Sequence, residues 1–200
     1  MPVLLRLMSI EIEKKYRLTR DQKETLARRL AEIGATRKGA EEFEENVIYT
    51  GPGLDPRSRV LRLRLTDARA TFTYKERRAT ESAIKHQREE ETEVSDAGAL
   101  ASILDALGYS PALVYEKRRE TWRAAGAEIV LDELPFGTFV EIEGEEESIL
   151  KAEELLGLSS AEAEHASYPE LTARLGKNNG GVFEARFTQS ALSDEQCRER

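Results

Sequence analysis

The strand-like segments of this chain carry charge along one face almost without interruption, and the sign of that charge is sorted by segment. Leu61, Leu63 and Leu65 alternate with Arg62 and Arg64, and Phe72 and Tyr74 alternate with Thr71, Thr73, Lys75 and Arg77. Between Arg57 and Arg78, eight Lys or Arg face only Asp67 and Glu76, whereas Ala124–Leu150 holds eight Asp or Glu and no basic residue. Period-two alternation marks a half-buried strand, and residues two apart share a face at about 7 Å spacing. Pairs such as Arg62/Arg64 and Glu141/Glu143 therefore repel unless opposite charge lies nearby. Two folds relieve that repulsion. In an open sheet, water screens the charged face. In a closed barrel the charged faces confront one another across a lumen, and the apolar faces (Ile10/Ile12, Leu61/Leu63/Leu65, Phe72/Tyr74, Val140/Ile142) point outward beneath helices. The helices favour closure, because each has an apolar stripe that needs an apolar sheet face to cover.

The order of elements supports an α+β class dominated by antiparallel strands. Ser9–Leu18 reads as a strand, and Thr19-Arg20-Asp21-Gln22 has capping-box spacing before a helix carrying Leu26, Leu30 and Ile33. Strands are predicted at Glu44–Tyr49, Val60–Leu65 and Thr71–Arg77, and a polar, aperiodic loop at Glu76–Lys85. The plan then repeats: a strand at Gln87–Val94, a helix capped by Ser95 or Asp96, and strands at Val114–Arg123, Ala127–Asp132 and Thr138–Glu143. Helices are expected from about Ser148 to Leu156 and at Tyr168–Leu175, the latter with Pro169 in its first turn. Each half reads strand–helix–strand–strand–strand, which suggests a duplication. Residues 1–8 (MPVLLRLM) are expected to form a loose extension, residues 9–175 the domain, and residues 176–200 a frayed tail with few apolar anchors.

Charge bounds the partners. With 30 Lys+Arg against 38 Asp+Glu the net charge is −8, which argues against a nucleic-acid partner. No apolar run approaches the roughly 20 residues of a membrane span, and the lone Cys197 excludes a disulfide scaffold. A cytoplasmic protein, monomeric or homodimeric, is expected.

A lumen with basic and acidic walls has a direct chemical meaning. Arg forks suit the oxygens of a polyanion with several phosphoryl groups, and acidic walls can approach that polyanion only through divalent cations. Carboxylate ligands without a His or Cys cluster point to Mg²⁺ or Mn²⁺ rather than Zn²⁺. That combination is the apparatus of metal-assisted phosphoryl transfer.

Glu11-Ile12-Glu13-Lys14-Lys15 at the first strand resembles the ExExK signature of the CYTH family, the triphosphate tunnel metalloenzymes. Leu61-Arg62-Leu63-Arg64 is similar to the family's paired-Arg strand, Thr73-Tyr74-Lys75 to its strand ending in Lys, and Lys117-Arg118-Arg119 to its KxR strand. Glu89, Glu91 and Glu93 lie where the family has an acidic strand. Leu131-Asp132 and Gly137-Thr138-Phe139-Val140-Glu141-Ile142-Glu143 resemble its closing motif. The resemblance covers about Met8 to Leu175. It implies an eight-stranded antiparallel barrel with a central tunnel, divalent metal on Glu11, Glu13, Glu141 and Glu143, and a small-molecule triphosphate held by Lys15, Arg62, Arg64, Lys75, Lys117 and Arg119. Asp132 is expected to orient a basic residue or join the metal site, and Glu141 is favoured over Glu143 as a ligand because Glu143 sits nearer the rim. Glu11, Glu13, Lys15 and Glu141 are the catalytic candidates. A triphosphatase leads, with a class IV adenylyl cyclase or a non-catalytic polyphosphate-binding module as alternatives. Arg77, Arg78, Arg88 and Arg123 read as solvated charges, Arg118 as pointing away from the lumen, His86 and His165 as surface residues, and Trp122 as exterior packing. Ser167-Tyr168 reads as the cap of the last helix.

Overall fold

Among the described residues the chain forms ten strands, and their pairing shows why the charged faces are tolerated. The computed structural model describes residues 9–77 and 85–188. The chain runs β1 (Ser9–Leu18), α1 (Arg20–Glu32), β2 (Thr36–Thr50), β3 (Arg59–Leu65), β4 (Ala70–Arg77), β5 (Lys85–Val94), α2 (Ala97–Ala106), β6 (Ser110–Ala124), β7 (Ala127–Leu134), β8 (Gly137–Glu143), α3 (Glu146–Leu156), α4 (Tyr168–Leu175), β9 (Lys177–Asn179) and β10 (Val182–Ala185). Strands β2-β3-β4-β5-β1-β8-β7-β6 are hydrogen-bonded in that order, and β6 returns to pair with β2, closing a ring of eight. Every pairing within the ring is antiparallel. The closed form, not the open sheet, resolves the like-charge repulsion. Among the described residues no helix is long and apolar enough to cross a membrane.

The outward faces of β3, β7 and β8 are largely apolar, and the helices cover them. Leu26 and Leu30 of α1 and Ile149, Ala152 and Leu156 of α3 pack on Ile129, Leu131, Val140 and Ile142, all buried. Trp122 packs against the same cluster. Leu104 of α2 covers Tyr49, Leu61 and Leu63. Burial of aliphatic side chains at about 1.5–3 kcal/mol each makes these two seams the main support of the ring. Local signals set the helix starts: Thr19 accepts from the Gln22 N–H at 3.2 Å and Gln22 answers at 2.7 Å, and Asp96 caps α2.

A third cluster occupies the inner face at one end. Ile48, Tyr115, Leu134 and Phe139 share alternation with the charged interior positions, and Tyr168 and Leu171 of α4 pack on them. The end where β6 begins and β7 finishes is thus filled by apolar side chains under α4, while the charged residues occupy the remainder.

Three expectations are corrected. β2 begins at Thr36, not Glu44; its first half is exposed and charged, with a bulge between Lys38 and Glu42 where Gly39 adopts φ +69°. Glu76 and Arg77 continue β4 and Lys85 opens β5, so these loop positions are strand. The start of the expected frayed tail is ordered: β9 and β10 form a hairpin, and β10 pairs in parallel with Leu113–Tyr115 of β6. Its anchor is Ala185, buried against the α4 cluster, and Arg186 bonds Glu45, Glu116 and Glu184. The expected extension 1–8, Arg78, the His86 side chain, Cys197 and the remaining tail lie outside the described residues.

Candidate functional site

The ring encloses a cavity of about 450 Å³ whose lining includes Glu11, Glu13, Lys15, Arg62, Arg64, Lys75, Lys117, Arg119, Glu141 and Glu143. All six cations proposed from the sequence therefore converge on one space. Their placement follows from register. On β6, Lys117 and Arg119 face inward while Arg118 turns away and stacks over Phe187 at 4.7 Å. On β3 and β4, Arg62 lies across from Thr73 and its guanidinium donates to the Thr73 hydroxyl at 3.3 Å.

Opposite charges meet across the cavity. Lys75 bonds Glu11 at 2.6 Å and Glu89 at 3.0 Å, and burial is outweighed by these partners, so its ammonium is held above its usual range. Arg119 grips Asp132 through two bonds of 2.8 and 2.6 Å and reaches Glu141 at 2.9 Å. Lys15 lies 3.6 Å from Glu141. Asp132 is fully buried and held well below the usual carboxylate range because Arg119 and Lys117 overcome the effect of burial.

Glu44 is a site residue that sequence reasoning missed. It is fully buried, 3.2 Å from Lys117 and 3.3 Å from Arg64. Burial alone would raise its pKa, yet Lys117, Arg119 and Arg64 hold it at about 2. Lys117 is the weaker member of this knot: burial and the nearby Arg119 pull it down to about 8, against the opposing effect of Asp132 and Glu44. Tyr115 and Tyr168 also line the cavity, and Tyr168 donates its hydroxyl to Asp132 at 2.9 Å. Arg77, expected to be solvated, lines the cavity and clasps Glu170 of α4 at 3.1 and 3.3 Å. His165 is exposed as expected.

The acidic side departs from expectation in one respect. Glu11, Glu13 and Glu143 bring carboxylate oxygens within 4.8 Å of one another. Glu141, favoured over Glu143 as a ligand, is instead committed to Arg119 and Lys15. The reason is register: Glu141 shares a level with Lys15, and Glu143 with Glu13. Burial pushes Glu143 up to about 8, and Glu11, Glu141 and Glu13 add to the rise against the opposing Arg119. Burial also raises Glu11, its Lys75 partner notwithstanding. Three converging carboxylates form a donor set suited to a hard divalent cation.

The comparisons agree with this geometry. The fold is similar to that of the PH1012 protein of Pyrococcus horikoshii, at 26% identity and TM-score 0.70 over 80% of this chain and 98% of that one. A candidate adenylate cyclase from Vibrio parahaemolyticus superposes with TM-score 0.70 at 23% identity, over 84% of this chain and 99% of its own. HpAC1 from Hippeastrum, described as a candidate adenylyl cyclase with a dominant triphosphatase activity, gives TM-score 0.63 at 21% identity, over 86% and 99%. A search of curated proteins found no match. A family model described as the CYTH domain matches residues 9–172. That span contains every strand of the ring and the whole charged cavity, and the chain belongs to the CYTH family.

Proposed function

We propose that this protein is a divalent-metal-dependent triphosphatase acting on inorganic triphosphate or a small organic triphosphate inside the ring. The observation that carries this reading is the convergence of Lys15, Arg62, Arg64, Lys75, Lys117 and Arg119 on one cavity that also holds the Glu11, Glu13 and Glu143 trio. A buried guanidinium N–H without a partner is costly, and Nε of Arg62, a cavity-lining residue, has none within the protein.

In this reading each group has a task. Arg62 and Arg64 present N–H donors to phosphoryl oxygens, Arg119 adds its charge while its Nε and Nη2 stay on Asp132 and Glu141, and the three lysines act as point charges. Together they orient the triphosphate and stabilise charge as it spreads over the transferring phosphoryl group. Glu11, Glu13 and Glu143 would hold Mg²⁺ or Mn²⁺. When bound, that ion supplies Lewis-acid withdrawal of charge from phosphoryl oxygen. Glu44 and Asp132 keep the basic side chains apart and aimed inward.

Incubation of the protein with tripolyphosphate, thiamine triphosphate and ATP, each with Mg²⁺ or Mn²⁺, tests the assignment. Orthophosphate release supports it. Cyclic AMP and pyrophosphate from ATP would transfer the assignment to an adenylyl cyclase, and tight binding without turnover would leave a polyphosphate-binding module.

A further inference from the structure

A cavity built for a polyanion faces a conflict. Lys15 and Lys117 are 2% and 1% exposed, and buried ammonium groups need partners. Every carboxylate that satisfies them also cancels charge the substrate requires. One side chain meets the first need without incurring the second. The ring of Tyr168, itself 6% exposed, lies 4.2 Å from Nζ of Lys15 and 5.6 Å from Nζ of Lys117. An aromatic face attracts an ammonium through its quadrupole and leaves the unit charge in place.

We propose that Tyr168 is a positioning residue, a neutral anchor that aims Lys15, Lys117 and Arg119 at the phosphoryl chain; the proposal rests on the triphosphatase reading above. Its hydroxyl acts on Lys117 and Arg119 through Asp132. That carboxylate accepts from Arg119 at 2.8 and 2.6 Å and lies 3.5 Å from Lys117, and the Tyr168 hydroxyl adds a third donor at 2.9 Å. A lone pair filled by a neutral donor draws less on Lys117. Burial, with Asp132 beside it, pushes the phenol well above its ordinary range, so the hydroxyl remains a donor at working pH.

The surroundings fix the ring. Phe139 meets it edge-on at 5.4 Å and Tyr115 lies tilted at 6.1 Å. Tyr168 is the first residue of α4, whose Ser167 and Glu170 form a capping box, and Arg77 ties Glu170 to the end of β4. The helix start is thereby pinned to the ring wall from two sides.

Tyr168→Phe and Tyr168→Leu separate the two contributions. Tripolyphosphate is titrated calorimetrically into the metal-free chain, and steady-state hydrolysis is followed with Mg²⁺. Tyr168→Phe keeps the ring and loses the Asp132 contact, so kcat/KM falls about tenfold, chiefly in kcat. Tyr168→Leu loses the ring as well, and Kd and KM for tripolyphosphate rise by about a further fivefold. A general packing role predicts instead that Tyr168→Phe, which keeps the ring, matches wild type. If wild type binds and hydrolyses tripolyphosphate while Tyr168→Phe stays within twofold of it in kcat/KM, Tyr168 only packs α4 and the proposal is overturned. Should Tyr168→Leu fail to fold, that comparison with Tyr168→Phe still decides. Wild type that neither binds nor hydrolyses tripolyphosphate overturns the triphosphatase reading itself, and the proposal with it.

Discussion

Two sets of carboxylates share the inner face of the ring and live under opposite electrostatic conditions. Glu44 and Asp132 are fully buried, yet each is surrounded by Lys117, Arg119 or Arg64 and stays ionised, Glu44 with a pKa of about 2. Glu143, half-buried, lies beside Glu11, Glu13 and Glu141, and its pKa climbs to about 8. The first set is neutralised by cations of the protein; the second, in the proposed reading, takes a divalent cation. The contrast separates the two sets by the sign of the charge around them: Glu44 and Asp132 are fully buried among cations, whereas Glu11 and Glu143 are half-buried among carboxylates.

The largest effect expected is on the scaffold side. Removing one partner of a buried ion pair leaves the other uncompensated and costs about 3–5 kcal/mol. Glu44→Gln and Asp132→Asn should each lose that much in urea denaturation. A loss below about 1 kcal/mol would mean that the basic cluster does not depend on them and that the contrast fails. Glu143→Gln should behave in the opposite sense. Relief of like-charge repulsion leaves metal-free stability equal or higher, while triphosphate turnover falls about 10²–10³-fold, the scale of losing one charge-stabilising contact in a transition state. The same variant should also lose most of the rise in Tm that Mg²⁺ produces in wild type. Destabilisation of Glu143→Gln by as much as Glu44→Gln would merge the two sets.

The pH dependence of the metal-free chain sharpens the comparison at smaller scale. Glu143 titrates near 4.5 when unfolded and at about 8 when folded. Between those values the folded chain holds the extra proton, so stability is greatest below about 4.5 and declines as pH rises through 8. The slope is at most about 1.4 kcal/mol per pH unit for one proton. Glu44 runs the other way: its contribution is present above 4.5 and is lost as pH falls through about 2. Urea midpoints from pH 5 to 8 should therefore fall in the absence of metal, and saturating Mg²⁺ should flatten the slope. A flat metal-free profile would contradict the strain assigned to Glu143.

How much of this was legible in the sequence depends on which partner a residue needed. The ring strands and α1 were legible because their signals are local: alternation in Leu61–Leu65, and Thr19 three residues before Gln22. Sign-sorted faces left an open sheet and a closed barrel both standing, and the apolar stripes of the helices favoured closure. Glu44 was not legible, because Glu41, Glu42, Glu44 and Glu45 form one acidic run and only the pairing of Glu44 with Lys117 across β6 singles it out. Glu141 and Glu143 share a strand face, and their roles divide only through the levels set by β1. The first half of β2 lacks apolar alternation and is held by its long pairing with β6. Tyr168 read correctly as a residue of the last helix, but nothing in one dimension shows that α4 begins against Asp132.

That placement of α4 leads to the smallest expected effect and the finest test of the contrast. Ser167 accepts from the Glu170 N–H at 3.4 Å, and its own N–H and hydroxyl reach the Glu170 carboxylate at 2.6 and 2.8 Å. Ser167→Ala removes the cap at a cost of about 1 kcal/mol. The loss loosens the start of α4, which leans on Asp132 and the basic set, and does not touch the Glu11, Glu13 and Glu143 trio. The stability gained on adding Mg²⁺ should therefore match wild type within about 0.5 kcal/mol, the ordinary limit for independent sites. A larger change would show that the cap and the acidic trio are energetically coupled through the cavity, and the two sets would then have to be treated as one.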